Sequence, residues 1–395
     1  MNPATGGPCQ GIRNSIPVLE EMGIHREVVS LDSPDEAFIG RDDFPIHALG
    51  PKQSAWHYSP KLKPWLQQNL QKFDVIIVNG LWVYPGYAVT KVLRKMRKNG
   101  DTNIPKLFVM PHGMLDPYFQ KASHRKIKAI RNWVYWKAVE SKIIHAAEGI
   151  LFTCKTEMEL ARETFRPYQP KRELNVGYGV AKPPPFVAAM RSALHHKLPQ
   201  LIDKTYLLFL SRIHNKKGID MLIRAYQTYH ATNPDAPMLV IAGPGIETVF
   251  GKKLKRSVIN EKLSDSILFT GMLTGDLKWG AMYECEAFIL PSHQENFGIA
   301  VVEAMACKKA VLISNQINIW KEIETEGGGI VAEDTIKGTL SLLQQWGKLT
   351  GLQKEEKGNY SWQCYQKYFT TEVASKNLYS ALNQVCLLLL PLLDL

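Results

Sequence analysis

Residues 287–314, reading AFILPSHQENFGIAVVEAMACKKAVLIS, constrain the fold more than any other part of the chain. The run AFIL at 287–290 is short and apolar, which suits a strand covered on both faces. Pro291 breaks it, a polar loop follows to Phe297, and Gly298 opens a helical segment over 299–307. The apolar run at 310–313 then supplies a second strand, so the stretch reads as strand–loop–helix–strand. Glu295 lies in the loop and Glu303 about a turn and a half into the helix. Both are expected at the carboxyl end of the first strand, where open α/β sheets bind ligands and a helix N-terminus offers N–H groups to an anion. Either glutamate alone is explained by the preference of acids for helix starts. The pair, with Asn296-Phe297-Gly298 between and the small Ala304 and Ala306 beyond, points to a ligand.

The same alternation recurs along all 395 residues, enough for two domains of ordinary size. Thr5-Gly6-Gly7-Pro8 precedes a helical pattern (Ile12, Ile16, Leu19, Met22), an arrangement that lets backbone approach a phosphate but also makes an ordinary turn. No strand can form ahead of it from the first four residues. Apolar runs at 73–78, 106–110 and 149–153 read as strands, the second running into Pro111-His112-Gly113. His112 therefore belongs to a loop at the carboxyl end of a strand, where a side chain can reach a ligand. A helix over 156–165 is expected to be capped by Thr156 with Glu159 at the reciprocal position.

Lys182-Pro183-Pro184-Pro185 is the most linker-like composition, placing a boundary near 183–200. This gives a first domain over 1–185, a second over 200–370, and a helix and tail over 371–395 that return to the first. The second half restarts with a strand at 205–210. It leads to Ser211-Arg212-Ile213-His214-Asn215-Lys216-Lys217-Gly218 and a helix. Arg212 and Lys217 straddle that loop, two cations beside a helix start that suit a diphosphate.

Charge is uneven: residues 1–190 carry 26 Lys and Arg against 17 Asp and Glu, +9 of the total +11. A basic first half suits an anionic surface or substrate, and no base-reading module suggests nucleic acid. Its densest part, 121–142, holds seven Lys and Arg, one acid (Glu140) and interleaved Trp133, Tyr135 and Trp136. Ile127, Ile130 and Val134 share a helical face there. The plain expectation is a packed helix with one solvated face; the alternative is peripheral contact with an anionic membrane. The six cysteines form no C-x-x-C pair, which fits a reducing cytoplasm. The closing run CLLLLPLLDL at 386–395 is too short to span a bilayer and is broken by Pro391; a helix end packing on the core or a frayed tail is expected.

Taken together, Gly6-Gly7-Pro8, PHGMLDPY (111–118), SRIHNKKGID (211–220), IAGPG (241–245), FTGML (269–273) and PSHQENFGIAVVEA (291–304) resemble, in order and spacing, the retaining glycosyltransferases of family 4. The resemblance covers nearly the whole chain. It implies the GT-B architecture: two doubly wound, Rossmann-like α/β domains facing across a cleft. It implies that Arg212 and Lys217 hold the donor's diphosphate, that Glu303 accepts from ribose hydroxyls, and that Glu295 contacts the donor sugar. Asn296, Phe297 and Gly298 would help hold sugar and phosphate through backbone, and Gly271-Met272 would lie by the nucleobase. Gly7 would approach the diphosphate, and His112 the transferred sugar and acceptor. The implied activity is transfer of a sugar from a nucleoside diphosphate sugar to a glycan or lipid-linked acceptor in polysaccharide synthesis. The chain carries no Asp-x-Asp motif, and the expectation is that no metal or other cofactor is required. The chain departs from the family in starting at the glycine loop, without the first strand, and in having NVGYGV (175–180) where a Pro-Asn-Gly type turn is usual. A nucleotide-sugar epimerase and an inactive sugar-nucleotide-binding protein are the alternatives on the same architecture.

Overall fold

The apolar runs of the second half become strands stacked side by side, because a parallel sheet hides both faces of each strand and so needs continuous rather than alternating hydrophobicity. The computed structural model describes residues 1–3, 6–121 and 125–387. It divides into two units, Met1–Gly179 with Thr371–Leu395, and Val180–Thr370.

In chain order the strands of the first unit are β1 (Val28–Ser30), β2 (Ile46–Ala48), β3 (Val75–Asn79), β4 (Lys106–Met110), β5 (Gly149–Phe152) and β6 (Glu173–Asn175). Those of the second are β7 (Tyr206–Leu210), β8 (Met238–Ala242), β9 (Ile267–Gly271), β10 (Ala287–Leu290), β11 (Val311–Ser314) and β12 (Gly329–Ala332). The second unit holds one parallel sheet in the order β12-β11-β10-β7-β8-β9. The chain thus steps outward from β7 to β9, returns beside β7 with β10, and continues outward on the other side. Its direction reverses between β7 and β10. Every residue of β10 and β11 is buried, as expected of the middle of a doubly wound sheet. Helices Ile219–Thr232 and Ile336–Gly347 pack together, as do Ala188–Lys197 with Gly275–Glu284 and Ile299–Ala306 with Gly351–Tyr368.

That arrangement corrects the domain boundary. The division falls at Gly179/Val180, a few residues ahead of the boundary expected near 183–200, and residues 188–197 form a helix of the second unit. Arg191 makes a two-pronged ion pair with Glu284, both bonds 2.9 Å. Gly280 lets the two helices touch: a Cβ there would lie 2.5 Å from the Met190 carbonyl oxygen. The prolines at 183–185 mark an extended entry into the second unit and not its outer limit.

In the first unit β3-β4-β5-β6 form a parallel sheet and β1-β2 a separate two-stranded one. Among the described residues no strand precedes helix Gly7–Glu21. Helix Thr371–Leu387 packs against that helix, and its Ala381 and Leu382 join Phe108, Leu151 and Val176 in a buried cluster. Residues 388–395, most of the closing apolar run, lie outside the described residues. The larger core centres on Trp136, stacked on Phe165 with ring centroids 4.7 Å apart, a contact worth about 0.5–1.5 kcal/mol beyond its burial.

Two local expectations change. The helix at 155 starts one residue early and is capped by Cys154, whose sulfur accepts from the Glu157 N–H at 3.4 Å. Glu157 rather than Glu159 turns back, accepting from the Thr153 N–H at 2.8 Å. Helix Lys126–Tyr135 also faces the other way from a packed amphipathic helix. Ile127, Ile130, Trp133 and Val134 are exposed, while Asn132 and Trp136 are buried. Among the described residues no helix is long and apolar enough to cross a membrane.

Candidate functional site

Because β7 and β10 are neighbours at the reversal, the loops leaving their carboxyl ends, 211–218 and 291–298, are pressed together. Such a switch point leaves a crevice outside the sheet. Gly218 makes the contact possible. Its φ of 66° is left-handed, and a Cβ would lie 2.0 Å from the Pro291 carbonyl oxygen, so no side chain fits. The Lys216 carbonyl accepts from the His293 N–H at 2.9 Å and from Ser292 Oγ at 3.2 Å. These bonds bring the Lys217 ammonium onto the Glu295 carboxylate as an ion pair. The loop after β11 braces Glu295 from behind: its N–H donates to the Gln316 carbonyl at 2.9 Å, and its carbonyl accepts from the Asn318 N–H at 3.0 Å. Glu295 is therefore a side chain on a fixed backbone.

Phe297 anchors the next step, buried and edge-on to Phe369 at 5.6 Å between centroids. Gly298 then turns the chain left-handed (φ 79°) into helix Ile299–Ala306, directing the helix's positive end toward the crevice side of the sheet. Glu303, on that helix, is held by Lys278 from helix Gly275–Glu284, Nζ to Oε1 at 2.6 Å. Lys278 also lies 4.3 Å from the centre of the Trp279 ring. One carboxylate oxygen of Glu303 thus has a cation.

The remaining residues expected from sequence in this unit line the same ends of the strands. Arg212 follows β7 and is exposed. Gly271 closes β9 with φ 72°, its carbonyl accepting from the Gly243 N–H at 2.8 Å, and Met272 beyond it is 68% exposed. Asn296 sits between Glu295 and Phe297, its side-chain oxygen 3.4 Å from the Asn318 amide nitrogen. The second unit thus gathers Arg212, Lys217, Gly271, Met272, Glu295, Asn296, Phe297, Gly298 and Glu303 at one end of one sheet.

Gly7 and His112 belong to the first unit. Gly7 is the first residue of its helix, and its carbonyl accepts from the Tyr178 hydroxyl. His112 is left-handed (φ 52°) and half-buried, its Nε2 2.9 Å from Asn79 Oδ1. Burial pushes its imidazole down to about 4, so the ring is neutral and can accept or donate one hydrogen bond at neutral pH. Pro8, Gly11, Asn79, His112 and Ser375 line one crevice of this unit.

Sequence reasoning missed two supporting residues. Lys278 lies in a helix without any spacing that singles it out, and only the fold carries it to Glu303. Glu157, buried at 3% exposure, accepts from the Gly113 N–H as well as from Thr153, fixing the loop that carries His112. The available signal is the acid three residues after Cys154, at capping-box spacing.

Residues 191–346 match the family of glycosyl transferases, group 1. An uncharacterized glycosyltransferase of Methanocaldococcus jannaschii, MJ1607, is 28% identical over 169 residues, covering 40% of this chain and 42% of that protein. The lipopolysaccharide core biosynthesis mannosyltransferase LpcC of Rhizobium leguminosarum is 32% identical over 123 residues, 31% of this chain and 34% of that one. The chain spans less than half the length of the curated relatives it matches. Among solved structures, Anabaena Alr3699/HepE in complex with UDP and glucose has a TM-score of 0.70 at 16% identity, covering 96% of each chain. The structures of this kind are GT-B glycosyltransferases, and the fold is theirs: α/β with parallel sheets.

Proposed function

With residues 191–346 matched by the group 1 glycosyl transferases, we propose that the chain is a retaining hexosyltransferase. It moves a sugar from a nucleoside diphosphate sugar to a glycan or lipid-linked acceptor in the synthesis of cell-surface polysaccharide. The observation that carries the reading is the ion pair of Lys217 with Glu295 where the strand order reverses between the parallel β7 and β10, with Glu303 held on the adjoining helix.

In this reading Arg212 and Lys217 meet the diphosphate. As the sugar–phosphate bond breaks, negative charge grows on the leaving nucleoside diphosphate, and two cations beside a helix N-terminus stabilise it, Lys217 exchanging Glu295 for the phosphate when donor binds. Glu295 accepts from hydroxyls of the donor sugar, and its braced backbone sets the sugar's orientation; it orients rather than acts as a base. Glu303 offers its second oxygen to the ribose hydroxyls. The backbone of Gly271 and Met272 lies by the base, and the backbone of Asn296–Gly298 helps hold sugar and phosphate. Gly7 and His112 keep the roles the resemblance implies, toward diphosphate and sugar. The UDP and glucose named for HepE and the mannose named for LpcC support a hexose on a nucleoside diphosphate.

A thermal-shift screen of UDP-, GDP- and ADP-sugars tests this. A true donor at ~100 times its dissociation constant stabilises by about 2.7 kcal/mol. Glu303→Ala is expected to abolish that shift, and incubation of the stabilising donor with acceptor glycans to release the nucleoside diphosphate. If no nucleotide sugar shifts the wild-type chain, the reading fails. Conversion of the bound sugar without acceptor would identify an epimerase instead.

A further inference from the structure

We infer that helix Lys126–Tyr135 docks the first unit onto an anionic lipid bilayer, lying flat in its interface. The side chains that this helix turns outward are the wrong ones for water. Ile127 is 85% exposed, Ile130 65%, Val134 54% and Trp133 51%, and they recur at helical spacing as one ridge. An exposed apolar ridge of this kind marks a surface that another phase or partner covers. The helix is not free to roll it inward. On its opposite side Trp136 is fully buried, stacked on Phe165 and donating from Nε1 to the Pro167 carbonyl at 3.1 Å. Tyr135 accepts from Trp56 Nε1 at 2.7 Å, and Asn132 and Glu140 are buried as well.

The charges around the ridge select a lipid surface. Lys126, Lys128, Arg131 and Lys137 are exposed beside it, with the Lys137 ammonium 4.4 Å from the centre of the Trp133 ring. The sole acid of the segment 121–142, Glu140, is the one turned into the core. Helix Tyr84–Asn99, which packs against the following segment 136–146, presents Lys91, Arg94, Lys95, Arg97 and Lys98 and has no acid. A protein partner needs hydrogen-bond and charge complements of both signs. A ridge of Ile, Val and Trp with the exposed cations of its own segment beside it suits acyl chains beneath a layer of anionic headgroups, with the long Lys stems reaching up to the phosphates. The proposal rests on this surface and holds for any donor sugar.

Flotation of the full-length chain with phosphatidylglycerol–phosphatidylcholine vesicles, and with phosphatidylcholine alone, tests it. The chain is expected to float with the first and stay behind with the second, binding less as salt is added. Two variants separate the contributions: Ile127→Ser/Ile130→Ser/Trp133→Ser removes the ridge, and Lys126→Glu/Lys128→Glu reverses two cations. Each should lower vesicle binding roughly tenfold or more, while the melting temperature and any nucleotide-sugar shift stay as in wild type, because the altered side chains face outward. The inference is overturned if wild type does not float with anionic vesicles, or if the triple variant floats equally well. It is also overturned if, without lipid, the chain self-associates in sedimentation and the triple variant does not, since the ridge would then belong to a second copy.

Discussion

Lys217 reaches Glu295 across the point where the second sheet reverses direction, so that a cation from the loop after β7 neutralises a carboxylate from the loop after β10. Neither residue has the other as a sequence neighbour; they meet because β7 and β10 pair, Ala287 opposite Leu207. Their side chains are only 11% and 23% exposed, and both lie outside the carboxyl ends of the strands at the switch point. The contact orders both side chains; in the proposed reading a diphosphate would draw the ammonium away and a sugar hydroxyl would take the carboxylate.

From this follows the behaviour of Lys217→Met. The pair is largely shielded from water, so losing its cation leaves the Glu295 carboxylate uncompensated and is expected to lower stability by about 1–3 kcal/mol, ~1–4 °C in melting temperature for a chain of this size. Sugar transfer is expected to fall about 10²–10³-fold in kcat, the usual loss when one donor to a developing anion is removed. Melting curves and initial rates on the same preparation check both. A variant with full kcat would remove Lys217 from the leaving-group site.

Lys278 makes a different prediction. It occupies one oxygen of Glu303 at 2.6 Å; in the proposed reading this leaves the other for the ribose, and Lys278 stays clear of the bond that breaks. Its loss should weaken donor in ground state and transition state alike. Lys278→Met is thus expected to raise the donor KM about five- to tenfold with kcat within about twofold, and Lys278→Arg to restore it in large part. A fall in kcat at unchanged KM would count against a positioning role.

Lys278 also illustrates what was and was not legible in the sequence. The runs 287–290 and 310–313 read correctly as strands because full burial demands unbroken hydrophobicity, and Gly298 marked the helix start because only a left-handed residue makes that turn. Contacts between elements far apart in sequence, such as Lys278 with Glu303, have no local signal. Helix Lys126–Tyr135 shows a second limit. Spacing placed Ile127, Ile130 and Val134 on one face, but periodicity does not tell which face is inward; Trp136 and its stack on Phe165 decide it. The prolines at 183–185 place the boundary near 183–200, a few residues after the division at Gly179/Val180, because composition marks an extended stretch but not the burial of Met190 and Leu194, which makes the next helix part of the second unit.

If Arg212 and Lys217 supply the positive charge for the departing diphosphate, a divalent cation is not needed. Transfer is expected to be unchanged, within about twofold, in excess EDTA, the cations already contributing what a metal does in such a reaction. Rates measured before and after chelation, with magnesium and manganese added back, give the answer. Loss of activity in EDTA and recovery with one metal would reassign the charge stabilisation.

Glu140, beneath the outward-facing basic helix, gives a stability test that needs no substrate. Burial pushes its carboxyl up to about 7, offset in part by the Trp82 N–H donating to Oε2 at 3.1 Å. At low pH the group is protonated in both the folded and unfolded chain, and its burial costs little. As pH rises from about 4.5 toward 7, the unfolded chain releases this proton while the folded one retains it, so the folded state binds more protons and loses stability across that window. Above 7 both forms are ionised and the loss is complete. Glu140→Gln keeps an oxygen for the Trp82 N–H without the charge. Its melting temperature should match wild type near pH 4.5, exceed it progressively up to pH 7, and stay higher at a constant margin beyond. Two parallel melting-temperature profiles across this range would mean that Glu140 ionises as freely in the folded chain as in water.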